Sequence, residues 1–251
     1  MDPIKLSAQL THYIFNQKQG NQSEILELKD GSKESKGVIV ALHGMQFGPK
    51  TTGGWETLRI TSQYIIDRGY TALMPSTLGF SKTLGERDYS GPESVRRLVQ
   101  SLKLWKKENN YENKFILMGS SRGGTLAILT SILEPKLFSH VISSPGCYDI
   151  EREYKSTSDQ RKKQNIENEA GTNQEDFDIR SAVKQVDKIQ NPILIIHGDQ
   201  DEQIDVEQAK DFDKILSKNN KNHKTAILEG KGHRLISKKL FEETIIPFIE
   251  K

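Results

Sequence analysis

The chain has 251 residues, with 36 Lys and Arg against 34 Asp and Glu, for a formal net charge of +2. That balance excludes the basic footprint of a nucleic-acid binder, and no segment nears the roughly 20 apolar residues of a membrane span. One cysteine, Cys147, excludes an internal disulfide and a cysteine zinc cluster, and suits a reducing, cytoplasmic setting.

No Pro/Gly/Ser-rich linker divides the chain, so residues 1–251 read as one α/β domain large enough to bury a sizeable core. The opening "MDPIKLSAQLTHYIF" has neither the basic n-region nor the continuous apolar h-region of a secretory signal. "THYIFNQKQGNQSEILELK" then reads as two strands around a Gln/Gly/Asn turn, an antiparallel edge hairpin. Six short apolar runs follow: "GVIVALHG", "YTALMPS", "KFILMGS", "HVISSPG", "PILIIHGD" and "KTAILEG". Each is apolar on both faces, which predicts a parallel sheet covered by helices on both sides. Between them, "SVRRLVQSLKLWKKEN" places Val95, Leu98, Val99, Leu102 and Trp105 on one helical face, and "LISKKLFEETIIPFIEK" closes the chain as a helix. The alternation predicts a mostly parallel, doubly wound sheet whose ligands sit at the carboxyl ends of the strands. Residues 151–180, dense in charge and nearly without apolar residues, interrupt this rhythm as a polar surface insertion or small cap.

The chemistry concentrates where strands end. "FILMGSSRGGTLAILTSIL" runs from a buried strand into an apolar helix through Gly119-x-Ser121-x-Gly123. Small residues on either side let strand and helix pass, and the corner presents Ser121 as a nucleophile. The plain alternative is a serine that caps the helix, open to Ser120 or Ser121. A serine hydroxyl needs a base, and a carboxylate to orient that base. His233, in the glycine-lined loop "LEGKGHRL" after the last strand, is the candidate base. His43 and His197, in His-Gly pairs closing strands, read as loop-shaping residues, and His12, His140 and His223 as surface or strand-end residues. For the acid, "IIHGDQDEQID" offers Asp201, with Asp199 the alternative that ties down the turn through backbone amides. Oxyanion donors are the backbone N–H groups of Arg122, at the helix start, and Met45, with Gln46 the alternative to Met45. "HGMQFGPKTTGG" lacks the terminal Gly-Lys-Ser/Thr of a phosphate loop. Cys147 has no elbow around it and reads as a small buried residue.

Together these residues resemble the α/β-hydrolase superfamily from about residue 36 onward. Within it, "RDYSGPESVRRL", "GSSRGG" and "DIRSAVKQVDKIQNPILIIHGDQD" are similar to the prolyl oligopeptidase family and its dienelactone-hydrolase-like relatives, here without a propeller domain. The resemblance implies an α/β-hydrolase fold and Ser121, Asp201 and His233 as nucleophile, acid and base. It further implies Arg122 and Met45 amides as oxyanion donors, with no metal and no organic cofactor. The expected activity is cleavage of a small ester, thioester or short peptide; an acyltransferase or a non-catalytic ligand-binding protein on the same fold are the alternatives. The loop after His43 lacks the tyrosine of the peptidases, and "EQID" stands after Asp201 where relatives carry Val-Pro.

Overall fold

The computed structural model describes residues 7–16, 21–46 and 51–251. Eight strands form one sheet: β1 (Ala8–Asn16), β2 (Gln22–Asp30), β3 (Val38–Leu42), β4 (Thr71–Pro75), β5 (Phe115–Ser120), β6 (Phe138–Ser144), β7 (Ile193–Gly198) and β8 (His223–Leu228). Their order is β1-β2-β4-β3-β5-β6-β7-β8, with β1–β2 and β2–β4 antiparallel and every other pairing parallel. This is the expected hairpin on a parallel sheet, the α/β-hydrolase arrangement. The turn residues 17–20 lie outside the described residues.

Alternate residues of each central strand serve two different cores, which is why these strands carry no polar alternation. Val38, Val40, Phe115, Leu117, Ile193 and Ile195 join the cluster on one face; Ile39, Ala41, Ile116, Met118, Leu194 and Ile196 join the cluster on the other. The first face is covered by α3 (Pro92–Glu108), α4 (Arg122–Leu133) and α8 (Glu207–Lys218). The predicted stripe of α3, Val95 to Trp105, is buried there, at roughly 1.5–3 kcal/mol per large apolar side chain relative to exposure. The second face is covered by α2 (Ser62–Asp67), which follows α1 (Gly54–Ile60), and by the C-terminal helical segment.

Two expectations need correction. β8 is an edge strand with half-exposed residues and Ile227 in solvent, since it has a neighbour on one side only. The closing helix is not uniform: α9 (Lys238–Leu240) passes through a π turn at Phe241–Ile245 into α10 (Ile246–Ile249). Pro247 has no N–H for the Glu243 carbonyl, and the wider turn accommodates that missing bond.

The insertion folds as α5 (Ile150–Ser156), α6 (Gln160–Glu169) and α7 (Gln174–Asp178). Ile166 and Phe177 of the insertion, with Ile150 just before it, are buried in a third cluster with Tyr89, Cys147 and Ile204, while Ile179 is exposed. Among the described residues no helix is long and apolar enough to cross a membrane.

Candidate active site

The sheet order reverses around β3, and the loops after β3, β5, β7 and β8 converge at the carboxyl ends of these parallel strands. At the β5–α4 corner Ser121 has φ 54 and ψ −126, a conformation that side-chain-bearing residues adopt at a cost of about 1–3 kcal/mol. The corner is held by Ser121 N–H donating to the Ser144 carbonyl (3.1 Å) and by the Gly124 N–H bonding the Ser121 carbonyl (2.8 Å). A Cβ on Gly119 would overlap the Gly123 carbonyl, and one on Gly123 would lie 2.5 Å from the His43 carbonyl oxygen. Small residues are therefore obligatory at both positions. Ser121 stands at the helix N-cap, yet its side chain makes no capping bond. The capping alternative is set aside, and the hydroxyl is unspent.

The β3 loop lies against this corner. A Cβ placed on Gly44 would sit 3.2 Å from Ser121 Cβ and 3.8 Å from Oγ, so the backbone entering Met45 runs directly beside the serine. His43 shapes that loop: its Nε2 accepts the Thr77 N–H (3.0 Å), which puts its proton on Nδ1, and Nδ1 donates to the Gly44 carbonyl (2.8 Å). Burial lowers the His43 pKa to about 4, so the ring is a neutral strut. The Gln46 side chain bonds Thr52, Gly53 and Glu56; residues 47–50 of the glycine-rich loop lie outside the described residues. Arg122 opens α4, and its N–H has no carbonyl a turn behind it within the helix.

His233 Nδ1 lies 2.8 Å and 3.0 Å from the two carboxylate oxygens of Asp201. The two loops meet because Gly198 is a glycine: a Cβ there would overlap the Lys231 carbonyl. The Asp201 side chain is buried and accepts N–H bonds from Gln203 (2.8 Å) and Ile204 (3.0 Å), while His197 Nε2 approaches the same carboxylate at 3.2 Å. Burial alone would raise the Asp201 pKa; the bonds from His197, His233 and Ile204 outweigh it and hold the group well below the usual carboxylate range. Asp199 faces elsewhere and accepts the Gly230 N–H (2.7 Å). No hydrogen bond joins Ser121 Oγ to the His233 ring; the structure brings acid and base together at the end of the sheet where the serine corner stands.

Several neighbours were not legible in the sequence. The Arg122 guanidinium reaches Glu169 on α6 at 2.6 Å, lies over the Tyr89 ring (4.6 Å to the centroid) and touches Met45 Sδ (3.5 Å). Lys162, also on α6, bonds Glu153 and the Gln203 carbonyl beside Asp201. Arg180 donates to the Asp88 carbonyl (2.9 Å), at the start of a loop where Tyr89 and Ser90 both have positive φ. The insertion is thus fastened to the serine corner, the acid loop and the 88–91 loop. Its scarcity of apolar residues signals exposure, whereas the few charged residues that matter point inward. Cys147 is buried, its thiol pKa pushed up by burial, and it offers no second nucleophile.

Comparison with known proteins agrees with this architecture. The family model for the prolyl oligopeptidase family (Peptidase_S9) matches residues 61–245. The uncharacterized peptidase YtmA of Bacillus subtilis (strain 168) is 26% identical over 144 residues, 57% of this chain and 56% of that protein. Among solved structures, an acylaminoacyl peptidase of Pyrococcus horikoshii superposes with a TM-score of 0.78 at 19% identity, over 98% of this chain and 42% of the other. The Pyrococcus furiosus esterase Pf2001 superposes with a TM-score of 0.69 at 16% identity, over 96% of this chain and 88% of the esterase. The chain thus spans about half the length of the curated relative and less than half of the peptidase.

Proposed function

We propose that this chain, which belongs to the prolyl oligopeptidase family, is a serine hydrolase acting through an acyl-enzyme on Ser121. The observation that carries the reading is the Asp201–His233 pair, bonded at 2.8 Å at the same end of the sheet as a strained serine whose hydroxyl has no capping duty. His233 Nε2 takes the Ser121 proton as Oγ attacks the carbonyl carbon of the substrate, the hydroxyl–imidazole contact closing as substrate enters. Asp201 fixes the ring with its proton on Nδ1 and stabilises the imidazolium that forms. The Arg122 and Met45 N–H groups hold the oxyanion, a term worth about 3 kcal/mol per donor. His233 then protonates the leaving alcohol, thiol or amine, and water, deprotonated by His233, releases the acid and restores Ser121.

The substrate class is a small carboxylic ester, thioester or short peptide amide. The small net charge argues against nucleic acid as a partner, and the single cysteine supports a cytoplasmic setting. Intact mass after treatment with a fluorophosphonate probe tests the reading: wild type gains one adduct and Ser121→Ala none. A folded wild type that stays unmodified would replace it with the non-catalytic binding protein.

A further inference from the structure

Asp201 is held by two histidines, and the proposed mechanism uses only one. His197, the penultimate residue of β7, is 0% exposed, as is the Asp201 side chain. Its Nε2 lies 2.9 Å from the Ile204 carbonyl and 3.2 Å from Asp201 Oδ2, the oxygen that also faces His233 Nδ1 at 2.8 Å. Both atoms near Nε2 are acceptors, so the proton sits on Nε2 and is shared between them. The other nitrogen, Nδ1, is buried with no hydrogen-bond partner among the described residues. The polar contacts of the ring are therefore made by Nε2, and both are with the acid loop. The ring is placed for what Nε2 does.

We infer that His197 is a positioning residue for the acid–base couple, setting through Asp201 how tightly the His233 imidazolium is held. The inference rests on the serine-nucleophile reading above. Oδ1 of Asp201 lies 3.0 Å from His233 Nδ1 and also accepts the Gln203 and Ile204 N–H groups. Among the described residues Oδ2, the nearer oxygen at 2.8 Å, meets only the two histidines, so His197 competes with His233 for its electron density. Removing that donor makes the carboxylate a stronger acceptor toward His233, which then keeps its proton to higher pH. Other charged groups bonded to these loops are Lys162, on the Gln203 carbonyl, Asp199, on the Gly230 N–H, and Arg152, 3.6 Å from the Asp205 carboxylate; all stay in place in the variants below.

The test is the second-order rate of fluorophosphonate labelling against pH for wild type, His197→Leu and His197→Gln. The glutamine returns an N–H near the position of Nε2. The leucine variant is expected to move the acid limb upward by about 0.5–1 pH unit and to slow the plateau several-fold. The glutamine variant is expected to restore the wild-type limb. A purely structural role would lower stability in both variants without moving the limb, and an unmoved limb in a folded leucine variant, or equal shifts in both, overturns the inference. Should the leucine variant not fold, 15N-imidazole spectra of the wild type decide: His197 protonated on Nε2 supports the inference, and on Nδ1 overturns it. A wild type that the probe never labels overturns the serine-nucleophile reading and this inference with it. A labelled wild type with an unresponsive limb overturns this inference alone.

Discussion

Arg122, the residue after Ser121, places its guanidinium 2.6 Å from the Glu169 carboxylate, with the two side chains only 12% and 11% exposed. The contact ties the polar insertion to the serine corner. It also puts the positive charge over Tyr89 and against Met45, so three segments of the site share one side chain.

Removal of Glu169 leaves that cation almost buried without a counter-charge. Breaking a fully buried pair costs about 3–5 kcal/mol, and slight exposure reduces the expectation for Glu169→Ala to about 2 kcal/mol. Urea unfolding measures it, and a double-mutant cycle with Arg122→Met isolates the coupling. A loss below about 0.5 kcal/mol would class the pair with surface ion pairs.

The backbone of Ser121 is strained, and both serine and alanine bear that strain. Ser121→Gly relieves it and is expected to be more stable than Ser121→Ala by about 1–2 kcal/mol, while neither variant is labelled by the probe. Thermal unfolding of the two side by side gives the comparison. Equal stabilities would mean that the surrounding bonds relax the corner in both variants.

Gly198 has no room for a Cβ because the Lys231 backbone occupies its place. Gly198→Ala should push the 230–233 loop outward and part His233 from Asp201. The expected result is a folded protein whose labelling rate falls at least tenfold, read by circular dichroism and probe kinetics together. Labelling at the wild-type rate would mean that the loop shifts without separating the pair.

His43 is neutral in the fold, with its pKa lowered from 6.5 to about 4 by burial. The unfolded chain therefore binds a proton at higher pH than the folded one. Stability is fully present above about 6.5 and falls as pH drops toward 4, by up to about 3 kcal/mol from this group. His140, whose pKa burial also lowers, acts in the same direction, so the His43 share is the difference between wild type and His43→Gln. Asp201 has a lowered pKa too, and its contribution is lost only below the normal carboxylate range, outside this window. Urea midpoints at pH 7 and 4.5 give the slope, which should be shallower in the variant.

Much of the fold can be read from periodicity. Runs such as "VIVAL" and "ILIIHG" lack polar alternation because adjacent residues enter opposite cores, and the stripe from Val95 to Trp105 marks the face of α3. The β8 edge and the π turn at Phe241–Ile245 were harder to read, since exposure depends on which strand ends the sheet and the turn on how the helix accommodates Pro247.

By itself the sequence determined the strand–helix alternation, the glycine-flanked corner at Ser121 and the residue types clustered at strand ends, because these follow from local sterics and hydrophobic pattern. Tertiary structure decided whether the groups named in the sequence meet, and which others join them. Asp201 and His233 are 32 residues apart in the chain, and Arg122 and Glu169 are 47 apart. Their contacts depend on where the β7, β8 and α6 segments come to lie. His197 shows the same limit: its neighbour along the chain is a glycine, and its partner of consequence is a carboxylate reached only when the β7 loop folds back on itself.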